Sequence, residues 1–133
     1  MKVIIYTDGG ARGNPGPAGI GVAVYDEKKN LVATRKQFIG TATNNQAEYK
    51  AVIFALRIAL EIGARHLDFN LDSELVVRQL KGEYKVKNEQ LKPLVQEVFK
   101  LSNKFDSIEY NHVPREKNKL ADRLVNEAVD ENT

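Results

Sequence analysis

The chain has no cysteine, and its only histidines are His66 and His112. The absence of cysteine excludes disulfides and thiolate zinc sites, and two histidines are too few for a histidine-based metal cluster. Any metal ion would therefore be held mainly by oxygen ligands. Such ligands favour magnesium, manganese or calcium over zinc.

Long apolar runs and a strong charge imbalance are also missing. No segment approaches the roughly 20 apolar residues of a membrane span, and Met1-Lys2 leads directly into an apolar stretch without a hydrophobic leader. We therefore expect a cytoplasmic protein with no membrane partner. The 20 basic and 18 acidic residues give a net charge of +2, which argues against a surface that is basic throughout.

The pattern of apolar residues predicts three strands followed by alternating helices and strands. The predicted strands comprise residues 3–8, 20–25, 31–39, 67–71 and 107–113. The predicted helices comprise residues 45–62, 73–80, 90–103 and 115 onward. This order predicts an α/β fold with a mixed five-stranded sheet, three antiparallel strands and then two parallel ones, flanked by helices. Without a repeat or low-complexity linker, residues 1–133 are expected to form a single domain.

Acidic residues stand at several predicted boundaries. Asp8 and Asp72 each close a predicted strand, the first before the turn-rich stretch 9–17 and the second before a helix. Two such strands can place both carboxylates at one edge of a sheet, the usual ligand site of open α/β folds. Glu48 lies on the apolar stripe of its helix and should face the sheet. The structural alternatives are turn or capping roles for Asp8 and Asp72, and a solvated first-turn position for Glu48.

Four sequence blocks occur in an order and at spacings that identify a family. They are Tyr6-Thr7-Asp8-Gly9-Gly10 with Gly13-Asn14-Pro15-Gly16, Thr43-Asn44-Asn45-Gln46-Ala47-Glu48, Leu71-Asp72-Ser73, and Asn118-Lys119-Leu120-Ala121-Asp122. Over nearly its whole length the chain resembles the type 1 ribonuclease H family, in a short form. The resemblance implies a ribonuclease H-like fold.

The resemblance also implies an activity and a metal site. Family members are endoribonucleases that cut the RNA strand of RNA/DNA hybrids with Mg²⁺ or Mn²⁺, leaving 5′-phosphate and 3′-hydroxyl ends. In the family, four acidic residues hold two metal ions against the scissile phosphate, and Asp8, Glu48, Asp72 and Asp122 occupy those positions. Two cations about 3.5–4 Å apart can stabilise both the attacking and the leaving oxygen of an in-line displacement.

The family's substrate contacts fall on polar positions of this chain. Amide side chains donate and accept hydrogen bonds, which suits the 2′-hydroxyls and base edges of the minor groove in RNA-containing duplexes. By resemblance, Thr43 contacts a phosphate of the DNA strand. The alternatives are that Asn14 caps a turn and that Asn44 or Asn45 is a helix N-cap. The predicted substrate-binding residues are Gly10, Asn14, Thr43, Asn44, Asn45, Gln46, Arg115 and Asn118.

Two features depart from the family pattern. Many members carry a basic insertion, whereas here Asn88 leads directly into the next helix. Members also often place a histidine on the loop between the last strand and the last helix, but residues 114–118 contain none. His112 precedes that loop in a predicted strand, so a catalytic role is the minority interpretation. Arg115 is the hypothesised replacement that approaches the phosphate.

A basic run remains in place of the longer insertion. Its residues are Arg78, Lys81, Lys85 and Lys87, with Tyr84 among them. The run is either solvated surface or a contact for duplex phosphates. Because the loops are short, discrimination against a second RNA strand could weaken, and double-stranded RNA is a further candidate substrate.

Two non-enzymatic alternatives exist for the same fold. The first is a nucleic-acid-binding module without activity. Retention of all four acidic residues argues against it, because carboxylates packed together without cations repel one another. The second is an interaction domain that uses an exposed sheet edge around Arg35 and Lys36. The leading interpretation is a monomeric, metal-dependent ribonuclease H.

Overall fold

The computed structural model describes residues 1–133 as one mixed sheet with helices on both of its faces. The strands are β1 (Lys2–Ala11), β2 (Gly16–Tyr25), β3 (Leu31–Ala42), β4 (His66–Leu71) and β5 (Ser107–His112). The helices are α1 (Asn44–Ile62), α2 (Glu74–Leu80), α3 (Lys92–Ser102) and α4 (Lys119–Glu131), with a 3₁₀ turn at Arg115–Lys117. None of these helices combines the length and apolar character needed to cross a membrane.

The strand order across the sheet is β3-β2-β1-β4-β5. Strand β2 pairs antiparallel with β1 and with β3, whereas β4 pairs parallel with β1 and with β5. The predicted five-stranded mixed sheet is therefore confirmed. Strand β3 lies at an edge, as predicted, and β5 forms the other edge.

The first hairpin differs from its prediction. Strand β1 continues three residues beyond Asp8, with Gly9 opposite Ile20 and Ala11 opposite Ala18. The predicted turn at residues 9–17 is therefore wrong, and only residues 12–15 connect the two strands. A Cβ atom on Gly9 would lie 2.3 Å from the Ala47 carbonyl group. The glycine that suggested a turn is thus a strand residue that lets a helix approach the sheet closely.

The two faces of the sheet carry different helices. Side chains of successive strand residues point to opposite faces. Gly9 accordingly meets α1, whereas the next residue, Gly10, meets Val125 of α4. The main core lies on the α1 face and includes the fully buried Tyr49 and Phe69. The sheet is therefore held between α1, with α2 and α3 near it, and α4.

The C-terminal end of α1 agrees with its prediction, whereas its N-cap does not. Gly63 ends α1 with a φ of 84°, as predicted, in the left-handed conformation that glycine tolerates. The N-cap of α1 is Thr43, so an N-cap role for Asn44 or Asn45 is wrong. Thr43 accepts from the backbone N–H of Gln46, and the Gln46 side chain accepts from the N–H of Thr43.

Candidate active site

Strands β1 and β4 bring two aspartates side by side. Their parallel register runs to Thr7 opposite Leu71, and the next residue along each strand direction is Asp8 or Asp72. Asp8 remains within β1, opposite Gly21 of β2. Asp72 follows β4, directly before the N-cap of α2. Because parallel strands end at the same edge of a sheet, both carboxylates lie at that edge.

Helix α1 adds Glu48 to the pair. Glu48 is buried, with 7% of its surface exposed, and faces the sheet as its position on the apolar stripe predicted. The close approach of α1 to Gly9 places it beside Asp8. Carboxylate oxygens of Asp8, Glu48 and Asp72 lie within 4.8 Å of one another. This spacing is small enough for one cation to contact all three groups.

Helix α4 contributes Asp122 from the other face of the sheet. A Cβ atom on Gly21 would lie 2.3 Å from the carbonyl oxygen of Ala121, so this glycine lets α4 pack closely on β2. Asp122 lines the same cavity of about 400 Å³ as the other three acidic residues. We call Asp8, Glu48, Asp72 and Asp122 the acidic centre.

The electrostatics of the acidic centre favour added positive charge. Burial, followed by the negative charges of Asp72 and Asp122, raises the pKa of Asp8 to about 7, although the neighbouring Glu48 partly opposes the increase. Burial and then the charge of Asp8 raise the pKa of Glu48 well above its ordinary value. None of the four carboxylates forms an ion pair with a basic residue.

The donor set fits a divalent metal ion. The Oε2 atom of Glu48 is buried and accepts no hydrogen bond. A buried carboxylate oxygen without a partner is unfavourable unless a cation or donor approaches it. Hard cations such as Mg²⁺ and Mn²⁺ prefer carboxylate oxygens, and the site offers these without a cysteine or histidine.

Asn118 is buried behind the acidic centre. Its Nδ2 donates to the carbonyl oxygen of Thr7 at 2.9 Å and to Oδ2 of Asp72 at 3.2 Å. Only 1% of its surface is exposed. The side chain therefore connects the segment before α4 with β1 and fixes the orientation of the Asp72 carboxylate.

Apart from Asn118, the residues predicted to bind substrate divide into those that line the cavity and those that do not. Gly10, Asn44, Asn45 and Arg115 line the cavity around the acidic centre. Asn14 is exposed and is not among the cavity walls, and its Oδ1 accepts from the backbone N–H of Asn44 at 3.0 Å. That contact connects the turn to the start of α1, and it leaves the Nδ2 group of Asn14 available.

Thr43 and Gln46 are not among the cavity walls. Their side chains cap α1, as described above, and the Gln46 amide also donates to Oε1 of Gln90 at 3.4 Å. Both residues are partly exposed at the start of the helix that carries Glu48. They adjoin the cavity without lining it.

Neither histidine reaches the acidic centre. His112 ends β5, is exposed, and has its Nδ1 3.9 Å from Glu74 in a separate depression. His66 begins β4 and its Nδ1 contacts the hydroxyl of Ser107 at 2.8 Å. Because Asp72 follows the opposite end of β4, His66 lies at the far end of the sheet.

The basic run lies on the surface, with Arg78 in the last turn of α2 and the three lysines after that helix. The Arg78 guanidinium is 5.3 Å from the ring centroid of Tyr84 and approaches Glu74 and Glu83. The three lysines of the run are exposed and form no ion pair. Their charges are therefore available to a polyanion.

Sequence reasoning missed several residues of the cavity wall, among them Arg12, Ser73 and Asn126. Asn126 stands four residues after Asp122 on α4, so helical periodicity could have found it. Arg12 lies in a stretch whose glycines and prolines indicated only a turn. Its charge, close in sequence to Asp8, was the available signal.

The fold and the acidic centre define an α/β domain with a cluster of carboxylates that could hold a metal ion. The family described as "Reverse transcriptase-like" matches residues 6–128. A ribonuclease H of Clostridium botulinum is 35% identical, with 98% of this chain and 97% of that protein covered. The chain belongs to the ribonuclease H family, which confirms the resemblance drawn from the sequence.

Two further relatives extend the comparison. A protein of Mycobacterium tuberculosis described as bifunctional is 47% identical over 98% of this chain, which spans 36% of that protein's length. The crystal structure of LC11-RNase H1 in complex with an RNA/DNA hybrid matches with a TM-score of 0.94 and 47% identity, covering 98% of each chain. The chain thus matches about a third of the mycobacterial relative and nearly all of the LC11 protein.

Proposed function

We propose that this chain is a metal-dependent ribonuclease H that hydrolyses the RNA strand of RNA/DNA hybrids and leaves 5′-phosphate and 3′-hydroxyl ends. The observation that carries the proposal is the acidic centre, where carboxylates of Asp8, Glu48 and Asp72 lie within 4.8 Å of one another without a basic partner. Support comes from relatives named ribonuclease H and from the similar fold of a protein solved with a hybrid.

The acidic centre would hold two Mg²⁺ or Mn²⁺ ions. Bound divalent ions supply charge stabilisation to the attacking and leaving oxygens of phosphodiester hydrolysis. The chain's own contribution is to place the ligands before the ions arrive. Gly9 and Gly21 let two helices bring their carboxylates to the sheet edge, and Asn118 fixes Asp72.

The polar wall of the cavity accounts for the choice of substrate. Asn44 and Asn45 face the cavity from the start of α1. Their amides suit 2′-hydroxyls and base edges in the wide minor groove of a hybrid. Gly10 lacks a side chain at the wall, so the nucleic-acid backbone can come close to the main chain there. Thr43 adjoins this surface and would contact the DNA strand, as the family resemblance implies.

Arg115 provides the positive charge on the side of the 3₁₀ turn. It is exposed, lines the cavity, and forms no ion pair. An unpaired guanidinium can bind phosphate oxygens through two parallel hydrogen bonds. In the absence of a loop histidine, Arg115 stabilises negative charge at the phosphate rather than transferring a proton. All of the acidic centre comes from one chain, so a single domain acting as a monomer suffices.

The decisive experiment is cleavage of a strand-labelled hybrid with and without Mg²⁺ or Mn²⁺, alongside Asp72→Asn and a double-stranded RNA substrate. The proposal predicts metal-dependent cutting of the RNA strand alone and loss of cutting in the variant. Cutting of double-stranded RNA as well would broaden the substrate range. Hybrid binding with no cutting in either metal would contradict the proposal and favour a module that binds without catalysis.

A further inference from the structure

A second arginine shares the cavity with the acidic centre. Arg12 lines the cavity from the turn after β1, and Arg115 is the other basic residue in the wall. The Arg12 backbone is firmly placed, because its N–H donates to the carbonyl of Pro17 at 2.8 Å. A Cβ atom on Gly16 would lie 2.0 Å from the Arg12 carbonyl oxygen, so the turn closes tightly around this residue.

The turn that carries Arg12 is also connected to the start of α1. The N–H of Ala11 donates to Oδ1 of Asn44 at 2.8 Å, and Asn14 accepts from the N–H of Asn44. Arg12 therefore lies on the side of the cavity where the amides face the substrate. Four residues of extended chain cover about 13 Å, so Arg12 is set well apart from Asp8 along the strand direction.

The present partners of Arg12 are weak ones and lie on α4. Nη1 is 2.5 Å from Oδ1 of Asp130, and Nη2 is 3.5 Å from the carbonyl oxygen of Asn126. The side chains of Arg12 and Asp130 are 47% and 63% exposed. Ion pairs this exposed contribute little to stability, because water competes for both groups. A phosphate can therefore take the place of the Asp130 carboxylate.

We propose that Arg12 binds a backbone phosphate of the hybrid beside the acidic centre, and that Asp130 holds the guanidinium until substrate binds. This inference rests on the proposed function. The planar guanidinium suits two phosphate oxygens as well as it suits a carboxylate. Asp130 then lies near the bound phosphate and repels it. Arg12 sets substrate affinity and register, whereas the acidic centre carries the chemistry.

The test measures hybrid cleavage and direct hybrid binding over a range of KCl concentrations. Arg12→Ala is compared with Arg65→Ala, because Arg65 forms a similar exposed pair with Asp106, 2.7 Å away at the far end of the sheet. We expect Arg12→Ala to raise KM and the dissociation constant about tenfold. The salt slope of binding should fall by about one, because one phosphate contact is lost. Arg65→Ala should change neither quantity.

A second variant separates phosphate binding from a structural role of the ion pair. If the pair only fastens the turn to α4, Asp130→Ala weakens binding as Arg12→Ala does, and the proposal is wrong. If Arg12 binds phosphate, Asp130→Ala keeps or tightens hybrid binding. An unchanged salt slope in Arg12→Ala would also overturn it. A wild-type protein that binds hybrid without cutting contradicts the proposed function alone, since the binding assay reports on Arg12 without turnover.

Discussion

Carboxylates cluster at two places in this molecule, but only one of the clusters has basic partners within the chain. On α4, Glu127 and Glu131 share one lysine, with Lys36 Nζ 3.4 Å and 2.6 Å from their respective carboxylate oxygens. These groups are exposed, and hydrogen bonding to Glu131 raises the pKa of Lys36. The acidic centre, at the edge of the same sheet, is largely buried and has no lysine or arginine partner.

The difference indicates which of the two clusters can bind an external cation. A chain can neutralise surface carboxylates with its own basic residues at little cost. Buried carboxylates without such partners carry a desolvation penalty and mutual repulsion, which their raised pKa values express. A buried negative charge without a basic partner in the chain favours the binding of an external cation. The α4 cluster is complete without one.

The largest expected effect comes from changing one carboxylate in each cluster. Glu48→Gln should lower hybrid cleavage by about a hundredfold or more, since charge stabilisation at the reacting phosphate is lost. Glu127→Gln, the matched change on α4, should leave turnover within about twofold, because exposed pairs contribute little. Initial rates at saturating hybrid and Mg²⁺ give both values. Equal losses in the two variants would remove the distinction between the clusters.

A smaller effect is expected from the packing that builds the acidic centre. Gly9→Ala should destabilise the fold by about 3 kcal/mol or more, because the added Cβ would lie 2.3 Å from the backbone of Ala47. Gly10→Ala is the control for stability, since its Cβ would meet only Val125 at 3.6 Å. Urea unfolding of both variants measures the difference. Equal stability of the two variants would show that α1 can move away from β1 freely.

The sheet and the two aspartates at its edge could be predicted from the pattern of apolar residues. Apolar runs ending in Asp8 and Asp72 can bring both carboxylates to one edge of a sheet, and the parallel register places both residues there. Burial of Glu48 followed from the helical stripe. These inferences use local periodicity, which a single sequence displays.

The parts that were missed depend on contacts between distant segments. Gly9 suggested a turn, but the close approach of α1 makes it a strand residue. Arg12 meets Asp130 across more than a hundred residues of chain. The burial of Asn118 against Asp72 is likewise set by how the end of the chain folds back on the sheet. No local pattern encodes such approaches.

A moderate effect on stability should depend on pH in the metal-free protein. The pKa of Asp8 is raised from 3.8 to about 7, so the folded state binds more protons than the unfolded state between these values. The free energy of unfolding should therefore fall as pH rises through this window. Mg²⁺ should raise the unfolding temperature more at pH 8 than at pH 5. Glu48→Gln should flatten the metal-free pH dependence and stabilise the protein at pH 8 by about 1–2 kcal/mol.

Calorimetry with and without Mg²⁺ at both pH values measures these terms, and Glu127→Gln is the control that should behave as wild type. A metal-free protein of wild-type sequence that is less stable at pH 5 than at pH 8, with Glu48→Gln following the same curve, would contradict the raised pKa values. It would mean that carboxylate repulsion is already relieved within the chain.

The smallest effect should come from the cluster that the chain neutralises itself. Lys36→Ala removes the β3 lysine that Glu127 and Glu131 share, but both glutamates are well exposed, and Arg123 remains 3.7 Å from Glu127. Water and salt screen their repulsion, so the unfolding temperature should change by no more than about 3 °C. The change should shrink further in 0.5 M KCl, because screening lengths fall below about 5 Å. A larger decrease in the unfolding temperature that salt does not reduce would mean that Lys36 acts as a buried partner of the two glutamates. The acidic centre would then differ from the α4 cluster in lacking basic partners and not in being buried.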